Sequence, residues 1–136
     1  MDWKLELVVV PVSDVDRAKD FYTEKLGFAL DVDHRAGDDF RVVQMTPPGS
    51  ACSISVGKGI TPSAPGSLKG LHLVVSDIEA AHAQLVERGV DVSEPFHFDA
   101  NGQQPGPHPE RLDYDSFVSF EDPDGNMWLV QEVKRD

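Results

Sequence analysis

The chain repeats itself, and an internal repeat constrains a fold more tightly than any composition does. Residues 7–28, LVVVPVSDVDRAKDFYTEKLGF, read as a short apolar strand, a Ser-Asp helix start, an amphipathic helix and a glycine stop. Residues 70–90, GLHLVVSDIEAAHAQLVERGV, read in the same order, with Asp14 matching Asp77 63 positions on and Gly27 matching Gly89 once one residue is gapped. In the second copy Ser76 is the expected N-cap. Glu79 follows at the spacing where two side chains satisfy each other's unpaired backbone N–H. Ser13 and Asp16 take those places in the first copy. Val15, Ala18, Tyr22 and Leu26 make the apolar face of the first helix, from about 14 to 26, and Ile78, Ala81, His82 and Leu85 that of the second. Two such units predict two modules, each burying one sheet face beneath its helix.

The remaining segments repeat too. The nearly continuous apolar run in residues 4–12 argues for an interior strand. Strands are predicted at Phe28–Val32, Phe40–Met45 and Ala51–Val56, with Asp33–Asp39 a solvated turn and Thr46–Ser50 a tight one. In the last strand Cys52, Ile54 and Val56 share the helix side, while Ala51, Ser53 and Ser55 face away. Gly57–Ser67, rich in Gly, Pro and Ser, reads as a linker. In the second copy Asp91–Phe98 is extended and Asp99–Asp113 is a long polar loop, a length more often functional than idle, commonly as a lid. Strands Ser116–Glu121 and Met127–Val133 flank the turn Asp122–Asn126, DPDGN, whose Gly125 lies 76 positions after Gly49 of the turn Pro47–Gly49. A single domain of residues 1–136 follows, built from module 1 (1–57), a linker (58–68) and module 2 (69–136).

Charge and composition exclude several classes. The formal net charge of −12 repels phosphate backbones and anionic lipid, so neither nucleic acid nor a membrane is an expected partner. No run approaches the roughly 20 apolar residues that span a bilayer, and MDWKLELVVVPV lacks the features of a signal peptide. One cysteine, Cys52, cannot form an internal disulfide, so a cytoplasmic location is expected.

Two βαβββ halves carrying VSDVDRAKDFYTEKLGF, VSDIEAAHAQLVERGV and FEDPDGNMWLVQEV resemble the vicinal oxygen chelate superfamily. That group holds glyoxalase I, the extradiol dioxygenases, the fosfomycin-resistance enzymes and the bleomycin-binding proteins. The resemblance implies an α+β fold in which two tandem βαβββ modules form a cup-shaped, partly open barrel with helices outside. It also implies where metal would sit: seven residues before the helix-start aspartates, at Leu7 and Gly70, and on the last strands, at Ser53 and Leu129. None of these four supplies carboxylate, imidazole or thiolate, the ligands divalent cations take. No metal and no cofactor are therefore expected.

Alternation along the strands places Val9, Ser55, His72 and Gln131 on the same face as the four substituted positions. The expected ligand-binding residues are His72, Gln131, Ser53 and Ser55, with Tyr114 and Phe117 as aromatic walls beside the loop. A few polar groups in an apolar concavity describe a small-molecule site. His72 and Gln131 can equally serve as structural partners, and neither serine has a neighbouring base for nucleophilic catalysis. His97 with Asp99 and His108 with Glu110 pair imidazole and carboxylate at short spacing, a pattern that also arises by chance in an acidic chain.

The expected function is a metal-independent protein that sequesters or carries a small, partly apolar molecule, as the bleomycin-resistance branch does. The alternative is a lyase, isomerase or dioxygenase with an atypical site around His72 and Gln131. Relatives implied by the resemblance are often dimers, so a homodimer is compatible with the sequence.

Overall fold

The structure, a computed structural model, describes residues 1–135. They divide into two compact units, one of residues 1–68 with 122–126, the other of residues 69–121 and the chain from 127 on.

The first unit runs β1 (Leu7–Val9), α1 (Val15–Asp20), β2 (Ala29–Arg35), β3 (Arg41–Thr46) and β4 (Ser53–Lys58). Its sheet has the order β1-β4-β3-β2, parallel between β1 and β4 and antiparallel elsewhere, so β1 is a short edge strand and not the interior strand that its apolar run predicts. The second unit runs β5 (Lys69–Val75), α2 (Ile78–Glu87), β6 (Phe96–Asp99), β7 (Gly102–Pro105), β8 (Ser116–Glu121) and β9 (Met127–Glu132), with sheet order β5-β9-β8-β6-β7. Without β7 the two sheets have the same order and sense. The fold is thus α+β, two tandem modules with one open sheet each.

Both helices start one residue later than the serine caps predict. Asp14 caps α1 by accepting from Arg17 N–H, and Asp77 caps α2 by accepting from Glu79 and Ala80 N–H. The aspartate carboxylate has two acceptor oxygens and complements the helix dipole better than serine does. Ser13 is left to bind Asp124 instead. α1 itself is shorter than the periodicity predicts, because Phe21–Lys25 continues it as a π-helical turn. There Leu26 N–H reaches back five residues to Phe21 O at 3.1 Å. A π turn is a one-residue insertion into a helix. It accounts for the single gap needed to align the two repeats.

In the first unit Ala18, Tyr22, Leu26 and Phe28 are buried with Val43, Met45, Ile54 and Val56. The DPDGN turn belongs to this core. The Tyr22 hydroxyl donates to Asp122 Oδ2 at 2.7 Å, and Asn126 Nδ2 donates to Pro11 O and to Asp122 Oδ2, both at 2.8 Å. Asn126 Oδ1 accepts from Leu68 N–H at 3.1 Å. Gly66 packs so closely here that a Cβ would lie 2.1 Å from Asp124 O, and its φ of 78° already favours glycine.

Asp33 is no solvated turn residue. β2 continues through it to Arg35, and its carboxylate receives Arg41 Nε and Nη2 at 3.0 Å and Lys19 Nζ at 2.8 Å. Arg41, nearly buried, also reaches Asp16 at 2.7 Å. Cys52 is half-buried just ahead of β4 rather than packed in the core.

In the second unit α2 covers β8 and β9. Ile78, Val118, Phe120, Trp128 and Val130 are buried, with the rings of Phe120 and Trp128 stacked at 6.1 Å. The long loop is not patternless. Its residues 102–105 form β7, which pairs with β6 from Phe96↔Pro105 to Asp99↔Gly102. Two glutamines between a glycine and a proline carry no hydrophobic alternation, so only the cross-strand partner reveals this strand.

Candidate functional site

The opposite face of the second sheet is concave and holds a cavity of about 870 Å³. This lies inside the 300–1,000 Å³ range typical of small-molecule sites. Strand alternation builds its floor. The register places Ser119 beside Leu129, Glu121 beside Met127, and Leu129 beside His72, so Met127, Leu129, Ser119, Phe117 and His72 line the cavity. Phe96 and Phe98, two residues apart on β6, share that face. Phe96 stacks on Phe117 with ring centroids 5.6 Å apart, and Phe98 meets Phe117 edge-on at 5.6 Å. Three phenylalanines thus make one aromatic wall, in geometries the ring quadrupoles favour. The polar lining comes from Ser93, Glu94 and β7, where Gln103 stands opposite Phe98.

His72 has a fixed role for one nitrogen. Its Nδ1 lies 2.7 Å from Gly70 O, and a carbonyl only accepts. Of the other residues singled out from the sequence, Phe117 lines the cavity, whereas Gln131 follows Leu129 on β9 and donates from Nε2 to Tyr114 O at 2.9 Å. Tyr114 is exposed, with φ of 71°. Ser53 and Ser55 are buried in β4 of the first unit, where Ser53 Oγ lies 2.7 Å from Thr46 Oγ1. His97 turns to the opposite side of β6, its Nδ1 donating to Gly106 O at 2.7 Å and its ring set edge-on 5.5 Å from His108. Asp99 is occupied with Asn101 N–H. His108 Nδ1 accepts from Glu110 N–H at 3.0 Å, so that pairing runs through the backbone and not the carboxylate.

The segment beyond β7 is held by one arginine. Arg111 Nε and Nη2 fork onto both oxygens of Glu132, whose side chain is fully buried, with Nε at 3.0 Å and Nη2 at 2.5 Å. Its Nη1 reaches Glu79 at 2.6 Å and Nη2 reaches Asp77 at 3.4 Å. Glu132 Oε2 also accepts Ile78 N–H at 2.8 Å. The Arg111 hydrogen bonds hold the Glu132 carboxyl below its usual range against the opposing effect of burial. Asp77 is also lowered, first by the N–H of Ala80. Arg111 carries φ of 49°, a left-handed conformation that this fork maintains.

Sequence reasoning missed Phe96, Phe98, Ser119 and Met127 in the cavity wall, and it missed Arg111. The alternation Phe96-His97-Phe98 was a signal for the first two. Met127 could have been found by its alternation with Leu129 on β9, Ser119 needed the register of β8, and Arg111, outside any strand, has no local signal. The four positions at which the sequence resemblance places metal ligands, Leu7, Ser53, Gly70 and Leu129, offer two aliphatic chains, one hydroxyl and no side chain. This donor set does not fit a divalent cation. Among the described residues no three His, Cys, Asp or Glu side chains gather as a metal site.

Comparison with known proteins agrees with this architecture. Residues 4–130 match the family model of the Glyoxalase/Bleomycin resistance protein/Dioxygenase superfamily. The chain is 30% identical over 126 residues to YetH of Bacillus subtilis (strain 168), an uncharacterized protein, across 92% of this chain and 94% of that one. It is similar to the crystal structure of TnmS3, an antibiotic binding protein from Streptomyces sp. CB03234, with 35% identity, a TM-score of 0.75 and 96% of each chain covered. A member of the same superfamily from Sphaerobacter thermophilus DSM 20745 superposes with a TM-score of 0.74 at 29% identity, over 97% of this chain and 98% of that one.

Proposed function

This chain belongs to the glyoxalase/bleomycin resistance protein/dioxygenase superfamily, and from that premise we propose that it is a metal-independent small-molecule-binding protein of the resistance or carrier type. The observation that carries the reading is the aromatic-walled cavity on the second sheet, of a size for a small organic ligand and lined mainly by apolar side chains. The substitution of all four metal-ligand positions supports binding without metal chemistry. Similarity to an antibiotic binding protein supports a partly apolar natural product as the occupant. Of the residues read from the sequence, His72 and Phe117 contact the ligand, and Gln131 orients Tyr114 beside it; Ser53 and Ser55 serve the first unit.

The protein acts in the cytoplasm, where Cys52 stays reduced. It works as a homodimer. Trp3, 90% exposed, and Leu5, 71% exposed, precede β1, an edge strand of its sheet. Apolar side chains so placed are covered at low cost by a second copy.

A thermal-shift screen of aromatic and apolar natural products tests the binding reading. A ligand at a hundred times its Kd stabilises by about 2.7 kcal/mol, a rise of roughly 10 °C in a domain of this size. Elemental analysis after incubation with Zn, Ni, Mn or Fe(II) is the counter-test. Stoichiometric metal that disappears in His72→Ala would replace this reading with the enzymatic one.

A further inference from the structure

The hydrogen bond from His72 to Gly70 decides what the cavity can recognise. Because Gly70 O only accepts, Nδ1 carries a ring hydrogen, and in the neutral form of the ring that leaves Nε2 as a bare acceptor. The backbone provides for this. The β5–β9 register shifts between Lys69 and Leu71, and Gly70, with φ of 88°, sits in that irregularity. A bulged residue leaves the ladder, so its carbonyl is available to the ring two residues on. An added Cβ at Gly70 would meet nothing within 4 Å, so the glycine is required by its backbone angle and not by space. His72 is exposed and lines the cavity, so Nε2 is accessible to a ligand there.

The remaining groups set the charge and size of the ligand. Among the described residues no lysine or arginine lines the cavity, Glu94 stands at its rim, and the chain carries a net charge of −12. A carboxylate or phosphate would find no lysine or arginine to pair with and a carboxylate at the rim to repel it. Neighbouring strands lie about 4.8 Å apart. Phe117 on β8 is therefore about 10 Å from the line of β5, and Phe96 and Phe98 on β6 about 14 Å. A molecule that touches both His72 and the Phe96–Phe98 pair on β6 spans about 14 Å along the sheet, the length of two linked rings.

We infer that the cavity takes a neutral, multi-ring aromatic bearing a hydroxyl, with the hydroxyl donating to His72 Nε2 and the far ring lying on Phe96, Phe98 and Phe117. This rests on the reading of the cavity as the binding site, and it names the ligand's chemistry within that site.

Titration calorimetry with three matched probes tests it: para-phenylphenol, its O-methyl ether and para-phenylbenzoate. The phenol is expected to bind about tenfold more tightly than the ether, the worth of one hydrogen bond to a desolvated acceptor, and the benzoate not to bind. His72→Phe keeps a ring at an exposed position and removes the acceptor. In that variant phenol and ether are expected to bind equally, at the affinity the ether shows for the native protein. Equal binding of phenol and ether by the native protein would overturn the acceptor role of His72 while leaving the binding reading intact. So would a phenol preference that persists in His72→Phe, or benzoate binding as tight as phenol. If none of the three binds but the natural-product screen finds a ligand, only the present inference fails. If neither finds one, both fail.

Discussion

Glu132 has no water to turn to. Its side chain is fully buried, and both oxygens depend on Arg111 and on Ile78 N–H. Removing one member of a buried pair is far costlier than the pair's net worth, because the survivor stays buried and charged. Arg111→Ala is expected to lower stability by about 3 kcal/mol, read as a fall in the urea midpoint at unchanged slope. Arg111→Met/Glu132→Leu, which removes both charges, is expected to recover most of it. Asn126 poses the same problem without charge. It is fully buried and serves Pro11 O, Leu68 N–H and Asp122 at once. Asn126→Ala orphans the first two and should cost about 2–3 kcal/mol in the same measurement. The DPDGN turn was legible as a turn from the sequence. Its partners were not, since Tyr22 and Pro11 lie a hundred or more residues away.

At the scale of elements, the departures from sequence expectation share one cause: a side chain or strand found a partner that local pattern does not encode. β2 runs on through Asp33 because Arg41 and Lys19 neutralise it. β7 exists because β6 offers it an edge. Beyond β7 the chain is tied to α2 and β9 through Arg111, so it is pinned where a lid would swing. This latch has a pH signature. Glu132 is held low chiefly by the Arg111 hydrogen bonds, Asp77 by backbone N–H, and Asp16 and Asp33 of the first unit by Arg41. A carboxylate whose folded pKa is depressed stabilises fully above its unfolded value, near 4, and loses that contribution as pH falls through the folded value. The urea midpoint is therefore expected to be flat in these carboxylates from about pH 5 to 8 and to fall steeply below about 4. Glu132→Gln should start lower and fall less steeply. In the linker, Gly66→Ala forces a Cβ onto Asp124 O and into a left-handed backbone, and a loss of more than about 1 kcal/mol is expected.

At the scale of the whole molecule, the exposed N-terminal arm bears on assembly. MDWKLEL alternates apolar and charged residues, and antiparallel pairing of two copies about Leu5 sets Trp3 against Leu7 and Lys4 against Glu6. If that edge is the homodimer contact, Lys4→Glu and Glu6→Lys each weaken the dimer about five- to tenfold by sedimentation, and the double exchange restores it. Trp3 supplies an optical readout, since it is exposed and the other tryptophan, Trp128, is buried. Emission should shift to the blue with rising protein concentration, and Trp3→Phe should abolish the shift. A dimer indifferent to all three charge variants would move the contact elsewhere on the surface.

The sequence by itself determined the modules. Hydrophobic period, helix-start aspartates and glycine stops are local signals, and their recurrence fixed two matching strand-helix-strand units, down to the one-residue gap that the structure fills with a π turn. It also determined the chemistry absent from four strand positions, because residue type is readable without coordinates. Only the tertiary structure decided which residues share the cavity. Phe96, Phe98 and Phe117 meet across strands, and β8, apolar on both faces, carries no internal mark of which side is concave. The tautomer of His72 was likewise undecided until a bulge at Gly70 brought a carbonyl to its ring. Local periodicity reports the face of an element; which faces meet, and which polar atoms are thereby satisfied, depends on register and on partners distant in sequence.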